Sequence, residues 1–313
     1  MNKYQFNKIL IIKHGSLGDI INATSVIAAA RQKYKNSQID ILTSSSYCSF
    51  FKKMNKNFTI HEDNREGIVK SLKLLFFLNK KKYDLIIDLQ NSNRTKYYAL
   101  LLKIFSKVKI NGTHQYANFR YTYHKYDPPS VIDGLVSQVK LLNIDALSRP
   151  VLDFLKTSTN ENIDFLDKDF FIINPGCSNK NDYKKWSPQN YSIICKYLIT
   201  KNILPVLIGA ESDRESVEII KKNVPECIDL LNKSPIETIF LLAKNALGAL
   251  SNDTGPAHLI ASTDCKLHLV LSSRSGVKTV IPQSANVTFN QSDDINNINP
   301  DDVQLFIDKM LND

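Results

Sequence analysis

The apolar residues of this chain fall mostly into short runs. Residues 8–13 carry four aliphatics in succession, Ile9 to Ile12, and similar runs return at 38–43, 84–89 and 107–111. Runs of this length with polar borders predict buried strands. Between them, apolar residues recur at helical intervals over 19–35, 68–80 and 94–106. Strand and helix alternating in this way predict a parallel sheet covered on both faces.

The pattern then begins again. "KDFFIINPG" (168–176) reads as a strand, followed by strands at 203–208, 246–250 and 267–272. Helices are predicted over 188–200, 211–223, 235–244, 255–262 and 301–311. The closing one is a candidate to fold back toward the N-terminal half. The stretch 148–169 is polar and lacks strong periodicity, as a linker does. The expected fold class is α/β, with two Rossmann-like, doubly wound parallel-sheet domains facing across a cleft. They occupy 1–150 and 169–313, with 151–168 between them. Such a cleft is a common place for a ligand.

Composition narrows the class. At 313 residues, 43% hydrophobic and 23% charged, this is the profile of a soluble globular protein. No apolar run approaches the ~20 residues that span a bilayer, and the first residues lack a signal-peptide core. A cytosolic protein is expected, with membrane contact peripheral at most. The five cysteines are scattered, with no metal-ligand spacing, so neither a structural zinc nor a disulfide framework follows; no cofactor is expected either. Lys and Arg number 40 against 31 Asp and Glu, a net charge of +9. That excess favours an anionic partner: a nucleotide, a phospholipid surface, a phosphorylated glycan or a nucleic acid.

Four stretches carry candidate chemistry. In "ALSNDTGPAHLIAS" a strand turns through Asp253, Thr254 and Gly255 into a helix whose first turn holds His258. Capping residues followed by Pro256 suit a helix start that presents N–H groups to an anion. A well-capped helix with no further role fits the same residues. "NPGCSNKNDYKKWSPQNY" sets Lys180, Lys184, Lys185 and Trp186 on a loop after a strand. Its lysines suit a departing diphosphate; a solvated basic loop with Trp186 as an apolar plug is the alternative. In "PVLIGAESDRE", Glu211 is the best placed acid to accept from ribose hydroxyls, although acids also favour a first helical turn for dipole reasons.

"KHGSLGDIINA" is the fourth. Gly15 and Gly18 form G-x-x-G, which is neither a dinucleotide fingerprint nor a P-loop. Asp19 follows, where a phosphate would meet like charge. It is a candidate general base for a hydroxyl nucleophile, or else a helix-start acid that satisfies backbone N–H groups.

Taken together, "GSLGDIINA", "NPG…KKWS…Y" and "SNDTGPAHLIA" resemble the ADP-heptose:lipopolysaccharide heptosyltransferases, glycosyltransferase family 9, of GT-B fold. The resemblance runs over nearly the whole chain. It implies inverting, metal-independent transfer of a heptose from ADP-heptose to a Kdo or heptose hydroxyl of an anionic, lipid-linked inner-core acceptor. It assigns Asp19 as base and Lys184 as the cation on the leaving phosphates, with Lys185 as fallback. Asp253, Thr254, Gly255, His258 and Glu211 fall to the donor. Two stretches depart from the family pattern: "IINATSVI" after Asp19, and "TDCKLHLVLSSRSGVKTVIP" after "HLIAS".

For the acceptor, "NGTHQYANFRYTYHKYDPP" mixes tyrosines with Arg120, His124 and Lys125, a combination suited to stacking on sugars and pairing with phosphate. A loop packed by its own tyrosines would read the same. "SLKLLFFLNKKKY" and "RTKYYALLLKIFSK" suit either an anionic membrane or, the reading favoured here, the face of a sheet. The rivals are transfer from another nucleotide sugar, sugar-nucleotide epimerisation, and nucleotide-sugar or phospho-glycan binding without catalysis. Nucleic-acid binding lacks a motif, and a dehydrogenase lacks its fingerprint.

Overall fold

The computed structural model describes residues 5–156, 163–177, 182–276, 281–282 and 284–312. It comprises two compact units, Met1–Phe154 and Leu155–Asp313. In the first, six parallel strands are ordered β3-β2-β1-β4-β5-β6. They are β1 Lys8–Ile12, β2 Gln38–Thr43, β3 Thr59–Glu62, β4 Leu85–Asp88, β5 Lys109–Gly112 and β6 Phe119–Arg120. The helices are α1 Leu17–Lys33, α2 Cys48–Met54, α3 Gly67–Lys80, α4 Asn93–Phe105 and α5 Val131–Lys140.

The second unit repeats the plan. Its strands are β7 Phe170–Asn174, β8 Leu204–Gly209, β9 Ile228–Leu231, β10 Gly248–Asn252, β11 Leu267–Ser272 and β12 Val287–Ser292. They are ordered β12-β11-β10-β7-β8-β9, again all parallel. Helices α6 Pro188–Thr200, α7 Arg214–Asn223, α8 Ile236–Asn245 and α9 Gly255–Ala261 accompany them, with a closing helix Pro300–Asn312. In each sheet the strand order reverses beside the first strand, at β1/β4 and at β7/β10. The carboxyl ends of strands at such a reversal are where open α/β sheets receive ligands.

Central strands show the continuous apolar run because helices cover both faces: Ile9 to Ile12 are fully buried, as are Phe170 to Ile173. The edge strands are a different matter. β3 reads "THE" around Ile60, β6 is Phe-Arg, and β12 is "VTFNQS" with alternating exposure. Polar residues on an edge keep it from pairing with other chains, and they also erase the apolar run that announces a strand. α5 went unpredicted too, although Ser130 caps it by accepting from the Asp133 N–H at 3.2 Å and Ile132, Leu135 and Val139 are buried.

The closing helix packs within the second unit, where Val303, Ile307 and Met310 join the core of Phe171, Trp186, Leu250 and Val270. The stretch between the halves is not only polar. Leu152, Leu155 and Phe165 are buried, and Phe165 meets Phe170 edge-on at 5.6 Å. Residues 157–162 of it lie outside the described residues.

One buried histidine makes stability pH-dependent. His268 on β11 is fully buried, stacked on Phe306 at 4.7 Å, with Nδ1 2.8 Å from Thr288 Oγ1 and Nε2 2.8 Å from Asn290 Oδ1. The Asn290 oxygen only accepts, so Nε2 carries the proton and Nδ1 accepts from Thr288. Burial pushes this imidazole down to about 4, against a smaller opposing pull from Asn290. The unfolded chain therefore binds the proton first as pH falls. Stability contributed by His268 is intact above pH ~6.5 and is lost progressively toward pH ~4, roughly 3 kcal/mol at most. Chemical unfolding at steps across that window will show the fall, and His268→Gln will flatten it.

Candidate functional site

In the first unit, β1 delivers Lys13 and His14, both buried, to the carboxyl edge of the sheet. Gly15 then turns the chain with φ +131°, and a Cβ there would lie 2.6 Å from the Tyr47 ring. Only glycine fits both demands. Gly18 is buried in the first turn of α1. Asp19 Oδ2 accepts from the Ser16 N–H at 3.1 Å and from its hydroxyl at 3.3 Å, which fixes the helix start. Oδ1 faces the Lys13 ammonium at 3.7 Å, and 36% of the Asp19 side chain is open. The aspartate is thus a helix-start acid and an accessible carboxylate at once. Burial lowers the Lys13 ammonium below an ordinary lysine, while the charges of Asp19 and Asp88 pull the other way. The ammonium also donates a hydrogen bond to the Leu89 carbonyl at 3.1 Å.

Around this pair lies a buried polar network. His14 Nε2 is 3.1 Å from Asp63 Oδ2, and Arg94 Nη2 is 3.3 Å from Asp63 Oδ1. Burial would raise the Asp63 carboxyl, but the His14 contact and the Arg65 N–H outweigh it and hold the group well below the usual range. Asp88 accepts from the Gln90 and Asn91 N–H groups, each at 3.0 Å, and lies 2.8 Å from His114 Nε2.

In the second unit, β7 and β10 are neighbours, and this joins two motifs that are far apart in sequence. Asn174 Nδ2 donates to Ser251 Oγ and Thr254 Oγ1, both at 2.8 Å. Asn252 Oδ1 accepts from the Trp186 N–H at 3.3 Å and the Tyr191 hydroxyl at 2.9 Å. Trp186 is 1% exposed and donates its indole N–H to the Ile298 carbonyl at 3.1 Å, so it is an anchor in the core. Fixed to that anchor, Lys184 Nζ meets Asp253 Oδ2 at 2.5 Å with both side chains largely covered. Burial would lower Lys184, but the Asp253 bond and charge prevail and raise it. Lys185 is half-buried beside it. Thr254 stands at the N-cap of α9 with its hydroxyl turned to Asn174, Gly255 opens the helix, and His258 is half-buried in its first turn. Lys180 lies outside the described residues.

Glu211 follows β8 in a short 3-10 turn. It is exposed and bonded to Arg214 at 2.7 Å and Asn232 at 2.6 Å, which hold it down to about 2. Its neighbour Asp213 is the buried member. It accepts from the Cys177 N–H at 3.2 Å and the Ala210 N–H at 2.9 Å, tying the Asn-Pro-Gly turn to the end of β8. A Cβ on Gly176 would come 2.5 Å from Asp213 Oδ2, so that turn requires glycine.

Arg120 stands exposed on the edge strand β6, and His124 and Lys125 are exposed on the loop after it. His124 meets Tyr126 at 5.8 Å, and Tyr121 meets Tyr123 at 5.9 Å. Among the described residues, no group of three or more His, Cys, Asp or Glu is arranged to hold a metal ion.

The family model of glycosyltransferase family 9 (heptosyltransferase) matches residues 72–297. The chain belongs to glycosyltransferase family 9. It is 24% identical over 290 residues to lipooligosaccharide heptosyltransferase 2 of Haemophilus ducreyi, covering 82% of this chain and 80% of that one. Among solved structures, E. coli ADP-heptose lipopolysaccharide heptosyltransferase II superposes with a TM-score of 0.74 at 18% identity, over 97% of this chain and 98% of that one. E. coli heptosyltransferase WaaC with ADP gives 0.75 at 15%, over 97% and 99%.

This family 9 member is accordingly a glycosyltransferase, with the two-Rossmann architecture of its solved relatives. The matched span holds the Lys184 loop, Glu211 and the Asp253–His258 stretch, and it begins after the Asp19 loop. The residues that sequence reasoning missed, Lys13, His14, Asp63 and Asp88, share one signal. Each is an ionisable group within a few residues of a strand's carboxyl end. Burial is what sets them apart from ordinary loop charges, and composition does not reveal it.

Proposed function

We propose that this glycosyltransferase moves a heptose from ADP-heptose to a sugar hydroxyl of a lipopolysaccharide inner core, Kdo or heptose. The reaction is an inverting single displacement. Asp19 takes the proton of the acceptor hydroxyl, the oxygen bonds to the anomeric carbon, and the bond from that carbon to the diphosphate oxygen breaks. ADP leaves with the electron pair. Lys184 meets the growing phosphate charge, and Asp253, Thr254, Gly255, His258 and Glu211 hold the donor, with Lys185 in reserve. The acceptor is an anionic lipid-linked glycan, met by Arg120, His124 and Lys125, and the enzyme works at the cytosolic face of the inner membrane.

The donor reading is supported by relatives named for ADP-heptose and for heptosyl transfer. The single observation that carries the chemistry is the Lys184–Asp253 pair at 2.5 Å. It places a cation, raised by its partner, on the turn that opens α9. When a diphosphate arrives, the anion competes with Asp253 for that cation, so Lys184 needs only to swing, not to be recruited from solvent. Asp19 suits the base because its position is fixed by Ser16 while 36% of its side chain stays open. A donor screen read by product mass tests the proposal. Transfer from ADP-heptose is expected; transfer only from another nucleotide sugar would make this a different enzyme of the same family.

A further inference from the structure

Helices α3 and α4 were expected to rest on the sheet, and one face of each does. Leu75, Leu78, Tyr98, Ala99 and Leu102 pack with Leu10, Ile12 and Ile86. The rest of α3 is unusual. Of its 14 residues only Leu75 and Leu78 are buried, whereas Ile68 is 79% exposed, Val69 67%, Phe76 63% and Leu72 44%. At 100° per residue Ile68, Val69, Leu72 and Phe76 fall on one face. The adjoining α4 adds exposed Tyr97, Ile104 and Phe105. An apolar surface of this kind on a soluble protein marks an interaction site.

The charges on the two helices have one sign, although Glu66, just before α3, pairs with Lys70. Lys70, Lys73 and Lys80 lie on α3, with Lys81 and Lys82 directly after; Lys96 and Lys103 lie on α4, with Lys107 beyond. Residues 67–83 and 93–109 contain no Asp or Glu at all. Lys81 sits over the Phe77 ring at 4.7 Å, its apolar stem along the aromatic surface. A second copy of the chain docked here would set lysines against lysines. A bilayer with anionic headgroups meets the lysines with phosphate and the apolar residues with acyl chains.

We propose that the α3–α4 face seats the enzyme on an anionic lipid surface. The helix ends nearest the catalytic edge enter the surface too. α3 starts four residues after Asp63, and Arg94 at the start of α4 donates to Ser71 of α3 at 2.7 Å as well as pairing with Asp63. Seating through this face therefore holds the carboxyl edge of the first sheet, with Asp19, against the layer that carries a lipid-linked acceptor. That consequence rests on the proposed function, whereas the docking itself does not.

Sedimentation with vesicles provides the test and needs neither donor nor acceptor. The full chain is expected to pellet with phosphatidylcholine–phosphatidylglycerol vesicles at low salt and to be released by salt. Phosphatidylcholine alone should leave it in solution. Leu72→Ser with Phe76→Ser should weaken binding about tenfold or more, and Lys73→Gln with Lys80→Gln about tenfold. Melting temperature and turnover on a soluble acceptor fragment should stay unchanged in both variants. The proposal is overturned if the parent protein ignores the anionic vesicles or if both variants bind as it does. It is equally overturned if the face proves to hold a dimer that the Leu72/Phe76 variant breaks. Loss of transfer with vesicle binding intact would count against the proposed function alone.

Discussion

Asp19→Asn is expected to lower the turnover of heptosyl transfer by about 10²–10⁴, the usual worth of a positioned general base. The substitution keeps size and shape, and the amide oxygen still accepts from the Ser16 N–H that now lies 3.1 Å from Oδ2. The start of α1 therefore survives, and ADP affinity should be unchanged because the residues proposed to hold the donor lie in the second unit. What disappears is the carboxylate proposed to take the proton, and with it the negative charge 3.7 Å from Lys13. Losing that charge leaves the Lys13 ammonium with one carboxylate fewer near a buried site, so a drop in melting temperature of a few degrees accompanies the loss, roughly 1 kcal/mol. ADP release in steady state, with calorimetric ADP titration and a thermal melt, separates the three effects. Full activity would remove Asp19 from the role of base.

Lys184→Ala should cost about 10²–10³ in turnover, the scale for removing one group that stabilises developing charge. It should also destabilise the fold, because Asp253 is left largely covered without its cation. The two losses have different cures. In Lys184→Ala/Asp253→Asn the stranded charge is gone, so the melting temperature should recover while turnover does not. A purely structural role for Lys184 predicts recovery of both. Lys185→Ala, by comparison, should cost less than about tenfold.

The architecture was largely legible because a doubly wound sheet writes itself into sequence. Its central strands are buried on both faces, so Ile9–Ile12 and Phe170–Ile173 had to be continuous apolar runs. Edge strands such as Thr59–Glu62 and Val287–Ser292 are covered on fewer sides and lack that imprint. The site was legible only where motif residues cluster. Lys184 and Asp253 could each be marked as candidates, but their pairing follows from β7 lying beside β10, a fact of topology. Trp186 shows the opposite case: its uniqueness drew attention, and it serves to anchor the loop in the core. Asp213 was passed over for Glu211 because local sequence does not distinguish an acid turned inward from one turned out. The lysine-rich α3 was read as sheet-facing because the helical period alone does not reveal which apolar residues the sheet has room to cover.

The central claim is the donor and the product. Purified enzyme incubated with ADP-heptose and an inner-core acceptor lacking the heptose can be followed by mass spectrometry of the glycan. Gain of one heptosyl residue with stoichiometric ADP is expected, falling to near background in Asp19→Asn. An unmodified acceptor with ADP-heptose, alongside clear transfer from a uridine or guanosine diphosphate sugar, would contradict it.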